Sequence, residues 1–217
     1  MQIITRGQFS EDDIHTFMTE GELLQYDKLK ISKREDWLLG RVALKRVAIS
    51  KLSLEVTESG IEVVSERGGS PSLRLILPNG EMKMLKEIKT ALTHSSGVAV
   101  ADVYEVAKVR GVGLDIEKVR KFDFGTLLSF LHKQEREEFN VFDDSRDADK
   151  LATLIWCIKE AYLKARGFGL TMHPGRICIQ GNPFLGPVKI FENDLDAGAQ
   201  VTWTMLPGLY ILVRVEY

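Results

Sequence analysis

The chain has 217 residues, of which 44% are hydrophobic, and a formal net charge of -2 from 29 basic and 31 acidic side chains. This length suits one large domain or two closely packed subdomains, and the apolar fraction is sufficient to build a core. The near-neutral charge argues against bulk nucleic-acid binding, which requires a strongly basic surface. We therefore expect no nucleic-acid partner.

Targeting and cysteine patterns point to an ordinary soluble protein. The sequence contains no run of about eighteen apolar residues, and its first segment, MQIITRGQF, lacks the basic-then-apolar pattern of a signal peptide. We expect a cytoplasmic protein without a membrane partner. Cys157 and Cys178 form no CxxC motif. We interpret both as small core residues, not as a zinc site or disulfide.

The first long predicted helix is the most basic stretch of the chain, KREDWLLGRVALKRVAISKL, residues 33–52. Apolar residues recur around it at helical spacing, and Arg34, Arg41, Lys45 and Arg46 occupy other positions. The basic positions are consistent with a solvated helix face. They are also consistent with a phosphate clamp, because arginine and lysine at helical spacing can converge on one anion.

From Gly60 to Asp102 the pattern becomes extended. Two alternating runs flank the pair Asn79-Gly80, which is a strong signal for a β-hairpin. A polar cluster, Thr93 to Ser96, then precedes an apolar strand. It contains His94, which at a strand end suits hydrogen bonding to an anion, although a lone histidine is also a common structural residue.

The segment GVGLDIE, residues 111–117, predicts a strand with two unlike faces. Its odd positions carry two glycines followed by Asp115 and Glu117, while the even positions are apolar. Bare glycines allow close approach of a ligand or metal, and two neighbouring carboxylates suit magnesium. The alternative is a strand that simply ends in a charged turn.

The C-terminal half mixes helices and antiparallel strands. Residues 122–142 predict two short helices broken near His132, and DDSRDADK, residues 143–150, predicts a polar loop. A helix follows over 151–166 and ends at Gly167. Short apolar runs separated by turns then predict antiparallel strands. Without a βαβ rhythm or a detectable sequence repeat, the fold class is α+β.

Within the last helix, the motif WCIKEAYLK places Trp156, Glu160 and Lys164 one turn apart on a single stripe. Taken alone, Glu160 and Lys164 are consistent with an exposed ion pair contributing about 0.2–0.5 kcal/mol. If other parts of the chain supply partners for the Glu160 carboxylate, it would instead belong to a functional site.

Taken in order, THS, GVGLDIE and WCIKEAYLK resemble the motifs of the 4′-phosphopantetheinyl transferase superfamily, in its larger, monomeric, surfactin-type branch. GFGL after the last motif, DWLLGRVALKRV and IEVVSERGGSP extend the resemblance through most of the chain. It implies two similar subdomains related by a pseudo-two-fold, each a small antiparallel sheet packed with helices. Residues 1–104 would form the nucleotide side and 105–217 would carry the metal and catalytic acids, with coenzyme A in the cleft between them.

The resemblance also implies site roles. Asp115, Glu117 and Glu160 match the acids that hold Mg²⁺, and Glu160 also matches the proposed general base. Lys164 matches a lysine near the pyrophosphate, so Glu160 and Lys164 would be the catalytic pair. The residues expected to bind coenzyme A are Arg34, Arg41, Thr93, His94, Lys159 and Lys164. The implied reaction transfers the phosphopantetheine arm of coenzyme A to a serine of an apo acyl or peptidyl carrier protein, in fatty-acid, polyketide or nonribosomal peptide synthesis.

One departure from the family pattern concerns the residue before Pro71, which is Ser70 where the family usually has Lys or Arg. Arg67 or Arg74 would have to replace that cation, or coenzyme A would bind more weakly. Two other functions stay open at this point. One is a noncatalytic homologue that binds coenzyme A or a carrier protein, and the other is a magnesium-dependent hydrolase of nucleotide pyrophosphates.

Overall fold

The computed structural model describes residues 1–8, 13–65, 70–168 and 171–217. The chain divides into two compact units, Met1–Lys108 and Val109–Tyr217. The elements of unit 1 are β1 (Gln2–Thr5), α1 (Ile14–Phe17), α2 (Glu20–Asp27), α3 (Ile31–Leu52), β2 (Ile61–Val64), β3 (Ser72–Ile76), β4 (Met82–Met84), β5 (Ile88–Ser95) and β6 (Val98–Glu105). The elements of unit 2 are β7 (Val112–Lys118), α4 (Phe124–Phe130), α5 (Lys133–Glu138), α6 (Arg146–Ala165), β8 (Ile177–Gln180), β9 (Lys189–Glu192), β10 (Leu195–Asp196), β11 (Gln200–Leu206) and β12 (Tyr210–Glu216).

The two units repeat one architecture. In the described residues, each unit has one strand, three helices, a 3₁₀ turn and five further strands in the same chain order. The antiparallel sheets of unit 1 are ordered β1-β6-β5 and β2-β3-β4, and those of unit 2 are ordered β7-β12-β11 and β8-β9-β10. The α+β prediction of small antiparallel sheets packed with helices is confirmed.

A long helix packs on the first sheet of each unit and builds its core. Helix α3 covers β1, β6 and β5, with Val42, Ala43, Leu44 and Ala48 fully buried. Helix α6 covers β7 and β12 in the same way and buries an almost continuous apolar face. Both cysteines are free and buried, as predicted.

Several local predictions are confirmed, and one is wrong. Strands β3 and β4 form the predicted hairpin, with Gly80 at φ +82° in its turn. Helices α4 and α5 are separated near His132, which caps α5. The predicted loop over 143–150 is partly helical, because Ser145 accepts a hydrogen bond from Ala148 N and begins α6 at Arg146.

None of the described helices is long and apolar enough to span a bilayer.

The equivalent short helices of the two units are held by the same kind of buried ion pair. In unit 1, Lys45 Nζ of α3 donates to Glu22 Oε2 at 2.5 Å and to Phe17 O at 2.7 Å. Glu22 also accepts from Thr19 N and Val63 N, both at 3.0 Å. Lys45 and Glu22 have no exposed side-chain surface. The pair therefore joins α1, α2, α3 and β2 inside the core.

In unit 2, Lys159 Nζ of α6 donates to Glu135 Oε2 at 2.6 Å and to Phe130 O at 2.8 Å. Glu135 accepts from His132 N and Ile179 N, both at 2.7 Å. Both charged side chains are again fully buried. We call these pairs the unit 1 pin (Glu22–Lys45) and the unit 2 pin (Glu135–Lys159).

The glycines of β7 serve helix packing. An ideal Cβ at Gly113 would lie 1.8 Å from Ala161 O, and one at Gly111 would lie 2.0 Å from Ala165 O. The backbone of α6 therefore occupies the space that these glycines leave. This corrects the interpretation that the bare positions admit a ligand or metal.

We predict that Gly113→Ala lowers the free energy of unfolding by about 3 kcal/mol or more, because a backbone atom cannot move away from the new methyl group without displacing α6. Among the described residues, no atom lies within 4 Å of a Cβ at Gly186, so Gly186→Ala is the matched control. It should change stability by less than about 0.5 kcal/mol. Urea unfolding monitored by circular dichroism measures the free energy of unfolding of both variants. Equal stability of the two variants would contradict the packing role.

Candidate active site

The three predicted acids and Lys164 lie on two adjoining elements of unit 2. Strand β7 carries Asp115 and Glu117, and α6 carries Glu160 and Lys164. Asp115 is 5% exposed, and its Oδ1 accepts a hydrogen bond from Lys164 Nζ at 2.6 Å. Lys164 of the helix thus forms an ion pair with Asp115 of the strand.

Glu160 is partly buried and is close enough to these charges to interact with all three. Burial raises its pKa above the ordinary value, the negative charges of Asp115 and Glu117 raise it further, and Lys164 opposes them. Within the residues that the structure describes, Glu160 Oε1 is buried and accepts no hydrogen bond. A buried acceptor of this kind is costly unless a ligand or ion satisfies it.

The described residues contain no group of three or more His, Cys, Asp or Glu side chains already arranged to hold a metal ion. The chemistry of the donors still fits a hard cation, because all three acids supply oxygen and Glu160 Oε1 has a vacant acceptor. Magnesium at Asp115, Glu117 and Glu160 therefore stays a prediction. Magnesium bound there would have to share the Asp115 carboxylate with the Lys164 ammonium group.

One residue of this site was missed by the sequence reasoning. The thiol of Cys157 donates to Ile211 O at 3.9 Å, and burial followed by the charge of Asp115 raises the pKa of Cys157 well above its ordinary value. Cys157 is therefore a neutral donor beside the carboxylate. Its position one turn before Ala161, on the helix face that packs on β7, is the only signal that the sequence offered.

Lys159 does not have the surroundings expected of a coenzyme A ligand. Its side chain is fully buried, and besides Phe130 O and Glu135 it donates to Ile177 O at 2.8 Å. These three acceptors match the three donors of an ammonium group. The structure thus differs from the expectation, and places Lys159 in the unit 2 pin.

The far end of α6 is fixed by a second polar cluster. Tyr162 Oη donates to Glu192 Oε2 at 2.6 Å, and Arg166 Nη1 donates to the same oxygen at 2.8 Å. Burial, with the carboxylate of Glu192, raises the pKa of Tyr162 to about 12. These contacts tie the last turn of α6, which carries Lys164, to strand β9. Trp156 anchors the middle of the helix against Phe130, with ring centroids 5.2 Å apart.

The remaining predicted ligands belong to unit 1, and two of them are engaged within it. Arg34 donates to Asp27 O at 3.0 Å and to Leu29 O at 3.3 Å, so it closes the turn between α2 and α3. Arg41 is 6% exposed and stacks on Trp37, with its guanidinium carbon 3.4 Å from the ring centroid. Burial lowers the pKa of Arg41 to about 10, although Glu22 opposes this shift.

Thr93 and His94 are neighbours on β5 with opposite exposure. Thr93 is 5% exposed, whereas the His94 side chain is 48% exposed and its Nδ1 lies 3.8 Å from Asp36 Oδ2. His94 is therefore accessible to a solute. Of the candidates to replace the cation missing at Ser70, Arg74 pairs with Glu62 at 3.2 Å. Arg67 lies outside the described residues, as do parts of the GFGL and IEVVSERGGSP segments.

We predict that Glu160→Gln raises the melting temperature by a few degrees at pH 7–8 in buffer containing EDTA. The raised folded-state pKa means that Glu160 favours folding fully below its ordinary value of 4.5, and that this contribution is lost as the pH rises through the raised pKa. The advantage of the variant should therefore vanish near pH 4. Differential scanning calorimetry across this range measures it. A variant less stable than wild type at pH 8 would show that the ionised carboxylate is well satisfied.

Comparisons with known proteins place this geometry in context. A solved structure, holo-(acyl-carrier-protein) synthase from Thermotoga maritima, is 20% identical, with a TM-score of 0.40. The match covers 50% of this chain and 62% of that one. No curated protein sequence matches the chain. Residues 111–204, which include β7 and α6, match the family model of the 4′-phosphopantetheinyl transferase superfamily (ACPS).

Proposed function

We propose that the protein transfers the 4′-phosphopantetheine arm of coenzyme A to a serine of an apo acyl or peptidyl carrier protein and releases adenosine 3′,5′-bisphosphate. The observation that carries this proposal is the convergence of Asp115, Glu160 and Lys164 inside the region that matches the family model. A noncatalytic binder would gain nothing from a costly buried carboxylate beside a second one.

The chemistry follows from what these side chains can do. The serine hydroxyl oxygen attacks the β-phosphorus of coenzyme A, and the bond from that phosphorus to the bridging oxygen breaks. The adenosine bisphosphate leaves with the electron pair, and Glu160 accepts the serine proton directly or through a water. Without a bound metal ion, burial raises the pKa of Glu160, so its ionised form is a stronger base than an exposed carboxylate.

Charge on the transferred phosphate must be offset during the reaction. Lys164 is 35% exposed, so its ammonium can reach a phosphate oxygen from its place beside Asp115. Mg²⁺ held by Asp115, Glu117 and Glu160 would supply further positive charge to the pyrophosphate. In unit 1, the exposed His94 is the proposed contact for a remaining phosphate, whereas Arg34 and Arg41 would have to exchange their present partners to reach one. We also propose a cytoplasmic monomer of the surfactin type.

The transfer assay combines purified protein, coenzyme A, Mg²⁺ and an apo carrier, and weighs the carrier by intact mass spectrometry. We expect a gain of one phosphopantetheine arm. Glu160→Gln should lower kcat by about 100-fold or more, because it removes the base while preserving size. Glu137→Gln, at an exposed position of α5, is the matched control and should leave kcat unchanged.

Two results of this assay would favour another function. If several carriers gain no mass while calorimetry detects coenzyme A binding, the noncatalytic homologue is the better proposal. If coenzyme A is split without any gain by the carrier, the protein is a hydrolase of the pyrophosphate bond.

The metal prediction has a separate test that needs no turnover. Mg²⁺ should raise the melting temperature of the wild type, because a ligand that binds only the folded state stabilises it by mass action. Asp115→Asn should lose most of this increase, whereas Glu137→Gln should retain it. A wild-type melting temperature that is independent of Mg²⁺ would remove support for the site.

A further inference from the structure

The unit 2 pin adjoins the proposed base directly. Lys159 precedes Glu160 in α6, and its ammonium is held by Phe130 O at the end of α4, Glu135 in α5 and Ile177 O at the start of β8. Three acceptors from three elements fix both the rotation of α6 about its axis and its position along that axis at residue 159. Successive helical residues differ by about 100°, so this also fixes the direction in which Glu160 leaves the backbone.

The opposite side of the helix is constrained as well. The contact of Ala161 O with Gly113 sets how closely α6 approaches β7, the strand that carries Asp115. Among the described residues, Glu160 Oε1 has no hydrogen-bond partner that would orient it. The placement of this carboxylate therefore depends on the backbone on either side of it.

We propose that Glu135 and Lys159 are positioning residues for the reaction, because they hold Glu160 in its working direction without contacting the substrate. This inference rests on the proposed transferase function. It assigns Lys159 an indirect role in place of a coenzyme A contact, in accordance with its complete burial. A misplacement of about 1 Å at a reacting group is enough to reduce a rate about 100-fold.

Unit 1 supplies the internal control. Its pin is similar: Lys45 donates to Phe17 O and Glu22, and Arg41 Nε lies 3.7 Å from Glu22 Oε1. The residue after Lys45, however, is Arg46, whose Nε donates to Glu58 Oε1 at 3.1 Å. The unit 1 pin therefore supports an equivalent helix that carries no acid at this position. A role that is only structural would make the two pins equivalent, whereas a positioning role would distinguish them.

The experiment compares the paired variants Glu135→Gln/Lys159→Met and Glu22→Gln/Lys45→Met in the full chain. Each pair removes the carboxylate together with its lysine. In unit 1, Arg41 then loses the nearby charge of Glu22 but keeps its hydrogen bonds to Gln25 and Ser65. The melting temperature of each variant is measured first. The kcat and the KM for coenzyme A are then measured at a temperature well below the melting temperatures of both paired variants. We expect comparable losses of stability. The unit 2 pair should lower kcat at least tenfold with KM for coenzyme A within about twofold of wild type, and the unit 1 pair should change kcat less than twofold.

A conservative series keeps the test valid if a paired variant does not fold. Glu135→Asp and Glu22→Asp retain the charge but shorten the side chain, so kcat should fall only for Glu135→Asp. Equal effects on kcat in the two units would overturn the proposal in favour of a purely structural pin. A higher KM for coenzyme A with kcat preserved would overturn it in favour of a phosphate contact by Lys159. An inactive wild type would instead reject the proposed function itself.

Discussion

The whole arrangement depends on a carboxylate buried among backbone donors and paired with a buried lysine, once in each unit. In unit 1, Arg41 also lies 3.7 Å from this carboxylate. An isolated charge in a protein interior costs several kcal/mol, so neither Glu22 nor Glu135 would tolerate burial without its lysine. Loss of one partner costs about 3–5 kcal/mol, whereas replacing both is far less damaging. Because every acceptor lies on a different element, each pair fixes where two short helices, one long helix and one strand meet.

Much of the fold was predictable because its signals are local. Alternation in β3 and the Asn79-Gly80 pair specify the hairpin, and periodicity specifies α3 and α6. The two similar subdomains were expected from the family resemblance alone, because no sequence repeat is detectable and the shared architecture is carried by contacts between distant residues. Thr19 and Glu22 do fit a capping-box pattern that marks a helix start. The equivalent box in unit 2 uses His132, which that pattern does not include.

The candidate site was partly predictable, because some of its signals are also local. Helical spacing correctly placed Glu160 and Lys164 on one stripe, and strand alternation placed Asp115 on the same face as Gly113. Neither pattern reveals which neighbour fills the space beside a glycine, so the approach of α6 was mistaken for room for a ligand. The burial of Lys159 was equally hidden in the sequence. A lysine between apolar residues often packs only its aliphatic chain against the protein and keeps its ammonium group in water.

The burial of Glu160 joins the stability of unit 2 to its proposed chemistry. Desolvation and two neighbouring carboxylates raise the pKa of this group, so its ionised form opposes folding at neutral pH, while the same shift makes it a better proton acceptor. A flexible helix would relieve this cost by turning the carboxylate toward water. The unit 2 pin and the glycine contact oppose that rotation from opposite sides of α6. The energy that they contribute to the core is thus what allows an unfavourable carboxylate to persist beside Asp115.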